Sequence, residues 1–124
     1  MKLHAVKLAH LNAITACGAG YVEVNGVRHE THVIVAPEMP PAVWSATDFD
    51  SLTPADLGAV LALKPEVVLL GTGRRQRFPR PAIMEGLLTA GIGVEVMDTA
   101  AACRTYSILV AEGRRVVAAL LVER

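Results

Sequence analysis

The chain has few aromatic residues and no excess of charge of either sign. Only 4% of its 124 residues are Phe, Trp or Tyr, so the core must be built mainly from aliphatic side chains. Twelve basic and twelve acidic side chains cancel, whereas nucleic-acid binders usually carry a clear basic excess. Apolar runs fall short of the roughly 18 residues that cross a bilayer, and no secretory signal is evident. We therefore expect a cytoplasmic protein with no membrane span and no nucleic-acid partner.

Cysteine is scarce as well. Cys17 and Cys103 are the only two cysteines, lie far apart and belong to no motif. We interpret both as reduced, buried thiols and leave a disulfide between them open. By contrast, 52% of the residues are hydrophobic, which excludes disorder as the main state. The length suits a single domain, and we predict one over residues 1–124, with residues 1–10 loosely ordered.

The first half of the chain predicts β-structure followed by a loop. Asn25-Gly26 separates two strand-like segments, residues 21–24 and 27–35, and is typical of a type I′ hairpin turn. Residues 36–50 are predicted to form a loop, because three prolines disfavour regular strand pairing: Pro37, Pro40 and Pro41. Three large side chains are predicted to anchor this loop on the core: Val43, Trp44 and Phe49.

The second half alternates helices and strands. Thr53-Pro54-Ala55-Asp56 predicts a helix start, with Thr53 as the N-cap, and two further helices are predicted to begin at Pro81 and at Asp98 or Thr99. Strands are predicted at residues 67–70, 93–97 and 115–122. Strands and helices joined by short turns indicate parallel βαβ units. The pattern therefore predicts an α/β domain with a central sheet and an N-terminal β-hairpin region, and it leaves the direction of the last strand open.

Two turns bearing glycine or threonine follow predicted parallel strands, at the sheet edge where ligands prefer to bind. They are Gly71-Thr72-Gly73 and Asp98-Thr99. Four arginines follow the first turn, with no acid between Glu66 and Glu85: Arg74, Arg75, Arg77 and Arg80. Each guanidinium can hold a carboxylate or phosphate. An ordinary structural turn, with the arginines solvated or paired with acids elsewhere, is an equally weighted alternative.

The chain lacks the patterns of common catalytic sites. Gly71-Thr72-Gly73 matches neither the dinucleotide fingerprint nor the Walker loop. His29 and His32 are three apart on a predicted strand, so they point to opposite faces and cannot share a metal ion. Cys103 has no histidine near it in sequence, and no serine sits in a nucleophile elbow. We predict no metal and no cofactor, and the residues indicate no reaction.

Several separated motifs occur in an order that resembles the small Mth-type domain of unknown function. They are residues 65–73, 91–99, 102–106 and 112–114. The family includes the mitochondrial NADH dehydrogenase (complex I) assembly factor 3, an adipogenesis-associated animal protein and stand-alone bacterial members. The resemblance implies a three-layer α/β fold with a mixed sheet whose last strand runs against its neighbours. It implies protein binding and no established enzyme activity, in a bacterial cytoplasmic member. Ser107 stands where the family usually has Asn.

We predict a non-catalytic protein-interaction or assembly-factor-like module that binds through the arginine-rich loop, with Trp44 and Phe78 as apolar contacts. The alternative is a small enzyme or ligand carrier that holds an anionic small molecule between the two turns, with Tyr106 closing the wall. A monomer and a homodimer both remain open. The candidate binding residues are Gly71, Thr72, Gly73, Arg74, Arg75, Arg77, Asp98, Thr99, Arg104 and Tyr106.

Overall fold

A computed structural model describes residues 10–124, and the predicted loose order of residues 1–10 lies outside this range except for His10. Eight strands and three helices follow one another within it. They are β1 (Ile14–Gly18), β2 (Tyr21–Val24), β3 (Val27–His29), β4 (Val33–Ala36), β5 (Met39–Val43), α1 (Pro54–Leu61), β6 (Val67–Gly71), α2 (Pro81–Thr89), β7 (Gly93–Met97), α3 (Thr99–Ala111) and β8 (Val116–Leu120).

The strands form two sheets, a small one in the order β1-β2-β3 and a large one in the order β5-β4-β8-β6-β7. In the large sheet β6 runs parallel to β7 and β8, while β4 runs antiparallel to β5 and β8. The predicted α/β class with a mixed central sheet is confirmed. The expectation that the last strand runs against both of its neighbours is wrong for one of them. Strand β8 is antiparallel to β4 but parallel to β6. The reason is that α3 returns the chain across the sheet, so β8 enters in the direction of β6 and β7.

Three layers surround the core. The helices α1 and α2 cover one face of the large sheet, and α3 together with the small sheet covers the other. Strand β6 is buried on both faces, because Val68 and Leu70 pack towards α1 and α2 while Val67 and Leu69 pack towards α3. The longest helix in residues 10–124 has 13 residues, and no helix there combines the length and apolarity of a membrane span.

The predicted helix starts at Thr53 and Asp98 are confirmed by their hydrogen bonds. The backbone N–H of Asp56 donates to the Thr53 hydroxyl oxygen over 3.3 Å, and the Asp56 carboxylate accepts from the Thr53 N–H over 2.9 Å. This reciprocal pair satisfies two amides that a helix start leaves without partners. Asp98 caps α3 by accepting from the Ala101 N–H over 2.8 Å.

The predicted hairpin turn is present, but its second arm is shorter than expected. Asn25 and Gly26 both adopt positive φ angles, 52° and 81°, which is the backbone of a type I′ turn. The segment 27–35 is not one strand, so that part of the prediction is wrong. The chain leaves the small sheet after His29 and enters the large sheet at Val33. One continuous segment thus supplies strands to two sheets.

The predicted loop over residues 36–50 is also partly wrong, because Met39–Val43 forms β5 and carries Pro40 and Pro41. Proline is tolerated there because β5 is an edge strand, where the missing N–H costs no ladder hydrogen bond. Trp44 anchors the segment as predicted, since it is 2% exposed and its indole N–H donates to the Asp56 carbonyl over 3.0 Å. Val43 is 75% exposed and does not anchor it.

Candidate functional site

The two predicted turns lie against each other at one edge of the large sheet. The turn Gly71-Thr72-Gly73 follows β6, and Asp98-Thr99 follows β7. The Gly73 N–H donates to the Thr99 hydroxyl oxygen over 2.8 Å, and the Thr99 N–H donates to the Gly73 carbonyl over 2.9 Å. Strands β6 and β7 are parallel neighbours, so their carboxyl ends share an edge, as the sequence predicts.

The threonine hydroxyls of both turns are occupied by backbone groups of the protein. Thr99 is 7% exposed, and its hydroxyl donates to the Leu121 carbonyl over 2.7 Å while accepting from Gly73. Thr72 is fully buried, and its hydroxyl donates to the Arg75 carbonyl over 2.7 Å and accepts from the Arg77 N–H over 3.1 Å. These hydroxyls therefore fix the turns in place, and each already donates its proton to a backbone carbonyl.

Glu123 fills the place where an anion would contact the first turn. Its carboxylate accepts from the Arg74 backbone N–H over 3.0 Å and from an Arg77 Nη over 2.7 Å. Gly73 has a φ of +95°, and a Cβ built there would overlap the Glu123 carboxylate. We call these three contacts, the Gly73 backbone, the Arg74 N–H and the Arg77 guanidinium, the carboxylate seat. A ligand anion at this position would have to displace Glu123.

The sequence prediction missed Glu123, because it lies about fifty positions beyond the turn and belongs to no motif. The available indication was the run of arginines without an acid among them, which pointed to an acidic partner from elsewhere. The fold supplies that partner by carrying the chain from β8 past the turn. The Leu121 N–H donates to the Gly71 carbonyl over 2.9 Å, so residue 123 arrives beside Gly73.

Two contacts hold the backbone of the last residues independently of the Glu123 side chain. The Gly20 N–H donates to the Glu123 carbonyl over 2.8 Å, and the Val122 N–H donates to His32 Nδ1 over 2.8 Å. His32 Nε2 lies 2.9 Å from the Thr47 carbonyl, so these partners assign the ring proton to Nε2. His32 thus serves as a structural clip. Residues 10–124 hold no cluster of three or more groups suited to a metal ion.

Glu123 is an ionised carboxylate in a partly buried setting. Burial raises the pKa of Glu123, but the hydrogen bonds from Arg74 and Arg77 and the Arg77 charge outweigh it and hold the pKa below its usual value of 4.5. A carboxylate with a lowered pKa in the folded state stabilises the protein above its unfolded pKa. That stability is lost as the pH falls through the folded pKa.

We expect Glu123→Gln to lower the free energy of unfolding by about 1 kcal/mol at pH 7, because a charge-assisted contact is replaced by a neutral one. The difference from the wild type should shrink as the pH falls below about 4.5 and vanish once Glu123 is protonated in the folded protein. Urea denaturation at several pH values measures it. Glu30→Gln is the control, since Glu30 pairs with Arg28 on the exposed surface and should change stability little. If the difference in the free energy of unfolding between Glu123→Gln and the wild type stays constant with pH, the Glu123 carboxylate does not stabilise the fold through its charge.

The segment 74–80, here called the arginine loop, has a fixed base and an exposed outer surface. Arg77 donates to the Thr72 carbonyl and stacks over Phe49, 4.6 Å from the ring centroid. Gln76 donates to the Val96 carbonyl of β7 over 2.9 Å. Phe78 by contrast is 72% exposed. Three arginines of the loop are exposed beside it: Arg74, Arg75 and Arg80.

Two predicted binding residues lie elsewhere on α3. Tyr106 is fully buried on the face of α3 that packs against the large sheet. Its hydroxyl donates to the Asn12 carbonyl over 2.9 Å, and burial raises the pKa of Tyr106. It does not reach the turns, so it closes no wall there. Arg104 is exposed and lines a different cavity, with Cys17 and Cys103. The remaining predicted residues are gathered at the sheet edge: Gly71, Thr72, Gly73, Arg74, Arg75, Arg77, Asp98 and Thr99.

Cys17 on β1 and Cys103 on α3 are neighbouring free thiols. Burial, and then the adjacent Cys17, raises the pKa of Cys103. Because the thiolate is the reactive form, we expect iodoacetamide to alkylate half-buried Cys17 at least about tenfold faster than Cys103 in the native protein. Mass spectrometry of the labelled peptides measures this, and labelling in urea, where both should react alike, is the control. Equal native rates would contradict the assignment.

Comparisons with known proteins agree with this fold. The model of a family described as a protein of unknown function (DUF498/DUF598) matches residues 14–121. A solution structure of a Bordetella pertussis protein, described as a Mth938-like domain, is 42% identical, with 92% of this chain and 87% of that chain covered and a TM-score of 0.81.

Two curated relatives have informative names. The NADH dehydrogenase [ubiquinone] 1 alpha subcomplex assembly factor 3 of Danio rerio is 37% identical over 87 residues, which cover 67% of this chain and 50% of the relative. A protein of Francisella tularensis subsp. holarctica, called 13 kDa major membrane protein, is 39% identical over 69 residues, 56% of each chain. The matches thus cover about half the length of each of these two relatives.

Proposed function

The chain belongs to the DUF498/DUF598 family of unknown function, and from this premise we propose that it is a non-catalytic protein-interaction module of the assembly-factor kind. The similarity to complex I assembly factor 3 supports a role in binding another protein. The turns support it too, because the hydroxyl groups nearest the sheet edge are already bonded to backbone. A nucleophilic hydroxyl would donate its proton to a neighbouring base, whereas the Thr72 and Thr99 hydroxyls donate to backbone carbonyls.

The observation that carries the proposal is the exposure of Phe78 on a loop that is otherwise held in place. Phe78 is 72% exposed, whereas the neighbouring Pro79 is buried and Arg77 is bonded to Thr72. An aromatic ring on a fixed loop loses little entropy when a partner covers it. Phenylalanine and arginine are also enriched in protein interfaces. The arginine loop is therefore our candidate partner-binding surface.

Crosslinking in native lysate tests this surface with matched variants. We expect the wild-type chain to form a defined crosslinked species that Phe78→Ser loses and Ile108→Ser keeps. Ile108 is the control because it is 58% exposed on α3, away from the loop. Both substitutions are at exposed positions, so each should leave stability within about 0.5 kcal/mol of the wild type. No reproducible species, or equal loss in both variants, would count against the proposal.

The alternative, a carrier of an anionic small molecule between the two turns, has one specific observation in its favour. The seat already holds a carboxylate, that of Glu123. The carrier hypothesis requires a small acid to displace Glu123, and a thermal-shift screen of carboxylates and phosphates on the wild-type chain tests it. A rise in the midpoint temperature with one small acid, and none with an acidic peptide at the same carboxylate concentration, would favour a carrier over a protein-binding module.

The proposal includes a cytoplasmic location. Two neighbouring thiols that remain free are typical of a reducing compartment, where disulfides are rare. The Francisella relative is named a membrane protein, so cell fractionation decides between the two compartments. Recovery of the chain in the membrane fraction after a high-salt wash would contradict the cytoplasmic assignment.

A further inference from the structure

The carboxylate seat has one more hydrogen-bond donor than Glu123 uses. Glu123 takes one Nη of Arg77 and the backbone N–H of Arg74. The neighbouring Arg77 Nε–H is buried and has no hydrogen-bond partner within residues 10–124. A guanidinium binds a carboxylate best through two parallel N–H···O bonds. A carboxylate that is not tethered to the chain could adopt that geometry, so it can make a contact that Glu123 does not make.

The Glu123 side chain can leave the seat without detaching the end of the chain. The backbone at this point is fastened by Gly20 and His32, which contact main-chain atoms only. A cavity of about 300 Å³ adjoins the seat and is lined by Glu123 itself, with Tyr21, Gly73 and Arg74. Glu123 is also partly open to solvent, its side chain being 29% exposed. Side-chain rotation is therefore enough to vacate the seat.

The surroundings of the seat favour an acidic ligand over a neutral one, because three exposed arginines outnumber the one further acid of the adjoining cavity, Asp98, whose carboxylate caps α3. Arg74, Arg75 and Arg80 are exposed on the same loop and form no ion pair with the acids of residues 10–124. Phe78 adds an exposed apolar surface beside them. A small monocarboxylate would use the seat alone. An acidic protein segment could use the seat, the exposed guanidinium groups and the ring together.

We propose that the seat is a binding site for an acidic side chain of a partner protein, and that Glu123 occupies it in the free protein as a built-in competitor. The assignment of the carboxylate to a partner protein rests on the proposed protein-binding function. The existence of the binding site is argued only from the contacts within this chain. Binding a partner would replace the Glu123–Arg77 pair with an intermolecular pair at the same atoms. The affinity for acids is then limited by the fraction of molecules in which Glu123 is displaced.

Removing the competitor tests the seat directly. We expect propionate to bind Glu123→Ala about tenfold more tightly than the wild type, as followed by the amide NMR shifts of Gly73 and Arg74. Propionamide, which has the same shape without the charge, should not bind, and Arg77→Met in the Glu123→Ala background should abolish the gain. Glu123→Ser, whose side chain is too short to reach Arg77, serves as a second opened variant if Glu123→Ala folds poorly. Equal propionate affinity in the wild type and the opened variants would overturn the site.

A peptide arm separates the two sources of carboxylate. At low salt, a hexaglutamate peptide should bind Glu123→Ala at least about tenfold more tightly than propionate does. The substitution Phe78→Ser should not weaken the binding of propionate. If hexaglutamate binds no better than propionate, the assignment to an acidic protein segment is overturned and a small acid remains. Crosslinking distinguishes this inference from the broader function. Loss of the partner in Phe78→Ser, with no gain in Glu123→Ala, would refute the competitor role and leave the interaction module standing.

Discussion

Replacing Thr99 by valine is expected to lower the free energy of unfolding by about 3 kcal/mol, although the two side chains have nearly the same shape. The Thr99 hydroxyl accepts from the Gly73 N–H and donates to the Leu121 carbonyl. Both bonds are buried, so valine would leave one donor and one acceptor without a partner. Each buried polar group left in this way costs about 1–3 kcal/mol. One hydroxyl therefore joins the ends of β6, α3 and β8.

Urea denaturation of the purified variant measures the effect, with Thr105→Val as the matched control on the same helix. Thr105 is half-buried, and its hydroxyl makes only a 3.4 Å contact with the sulfur of Met97. Its replacement should cost less than about 1 kcal/mol. Similar losses in both variants would mean that valine in α3, and not the loss of the two bonds, destabilises the protein. No loss in Thr99→Val would refute the bridging role.

The parts of the fold that sequence reasoning predicted are those determined by neighbouring residues. The capping pair Thr53 and Asp56 is three residues apart, and Asn25-Gly26 determines its own turn because both residues accept positive φ. The buried strand β6 is apolar throughout, which identifies it without any knowledge of its partners. In these cases the short-range pattern and the final packing favour the same structure.

The parts that were missed depend on contacts between distant segments. Pro40 and Pro41 oppose pairing in a central strand, but β5 lies at an edge, and only the sheet order shows this. Tyr106 was predicted to close the wall of a pocket between the two turns. The seven residues after Thr99 advance α3 by two turns, about 10 Å, so the Tyr106 side chain packs beside Asn12 instead. The partner of the arginines, Glu123, arrives only through the path of the last strand.

Gly73→Ala is the second substitution for which we expect a large loss, about 2 kcal/mol in the free energy of unfolding. Gly73 has a φ of +95°, where a side chain is strained whatever the space around it, and its Cβ would also overlap the Glu123 carboxylate. Gly26→Ala is the control, since Gly26 has a φ of +81° and nothing lies within 4 Å of the added Cβ. That variant should lose only the conformational part, about 1 kcal/mol. The difference between the two losses measures the conflict with Glu123.

The double variant Gly73→Ala/Glu123→Ala separates backbone strain from displacement of the carboxylate. If the Cβ introduced by Gly73→Ala expels Glu123 from the seat, Glu123→Ala then removes no contacts that are still present. The double variant should therefore lose about 1 kcal/mol less of the free energy of unfolding than the sum of the two single losses. Thermal or urea denaturation of the four proteins in the cycle measures this coupling. Full additivity would show that Gly73→Ala acts through backbone strain alone. Glu123 would then keep its contacts with Arg74 and Arg77 in the presence of the alanine methyl group. In the non-additive case, Gly73→Ala by itself should weaken the Arg77–Glu123 pair, so the pH dependence of its stability should resemble that of Glu123→Gln.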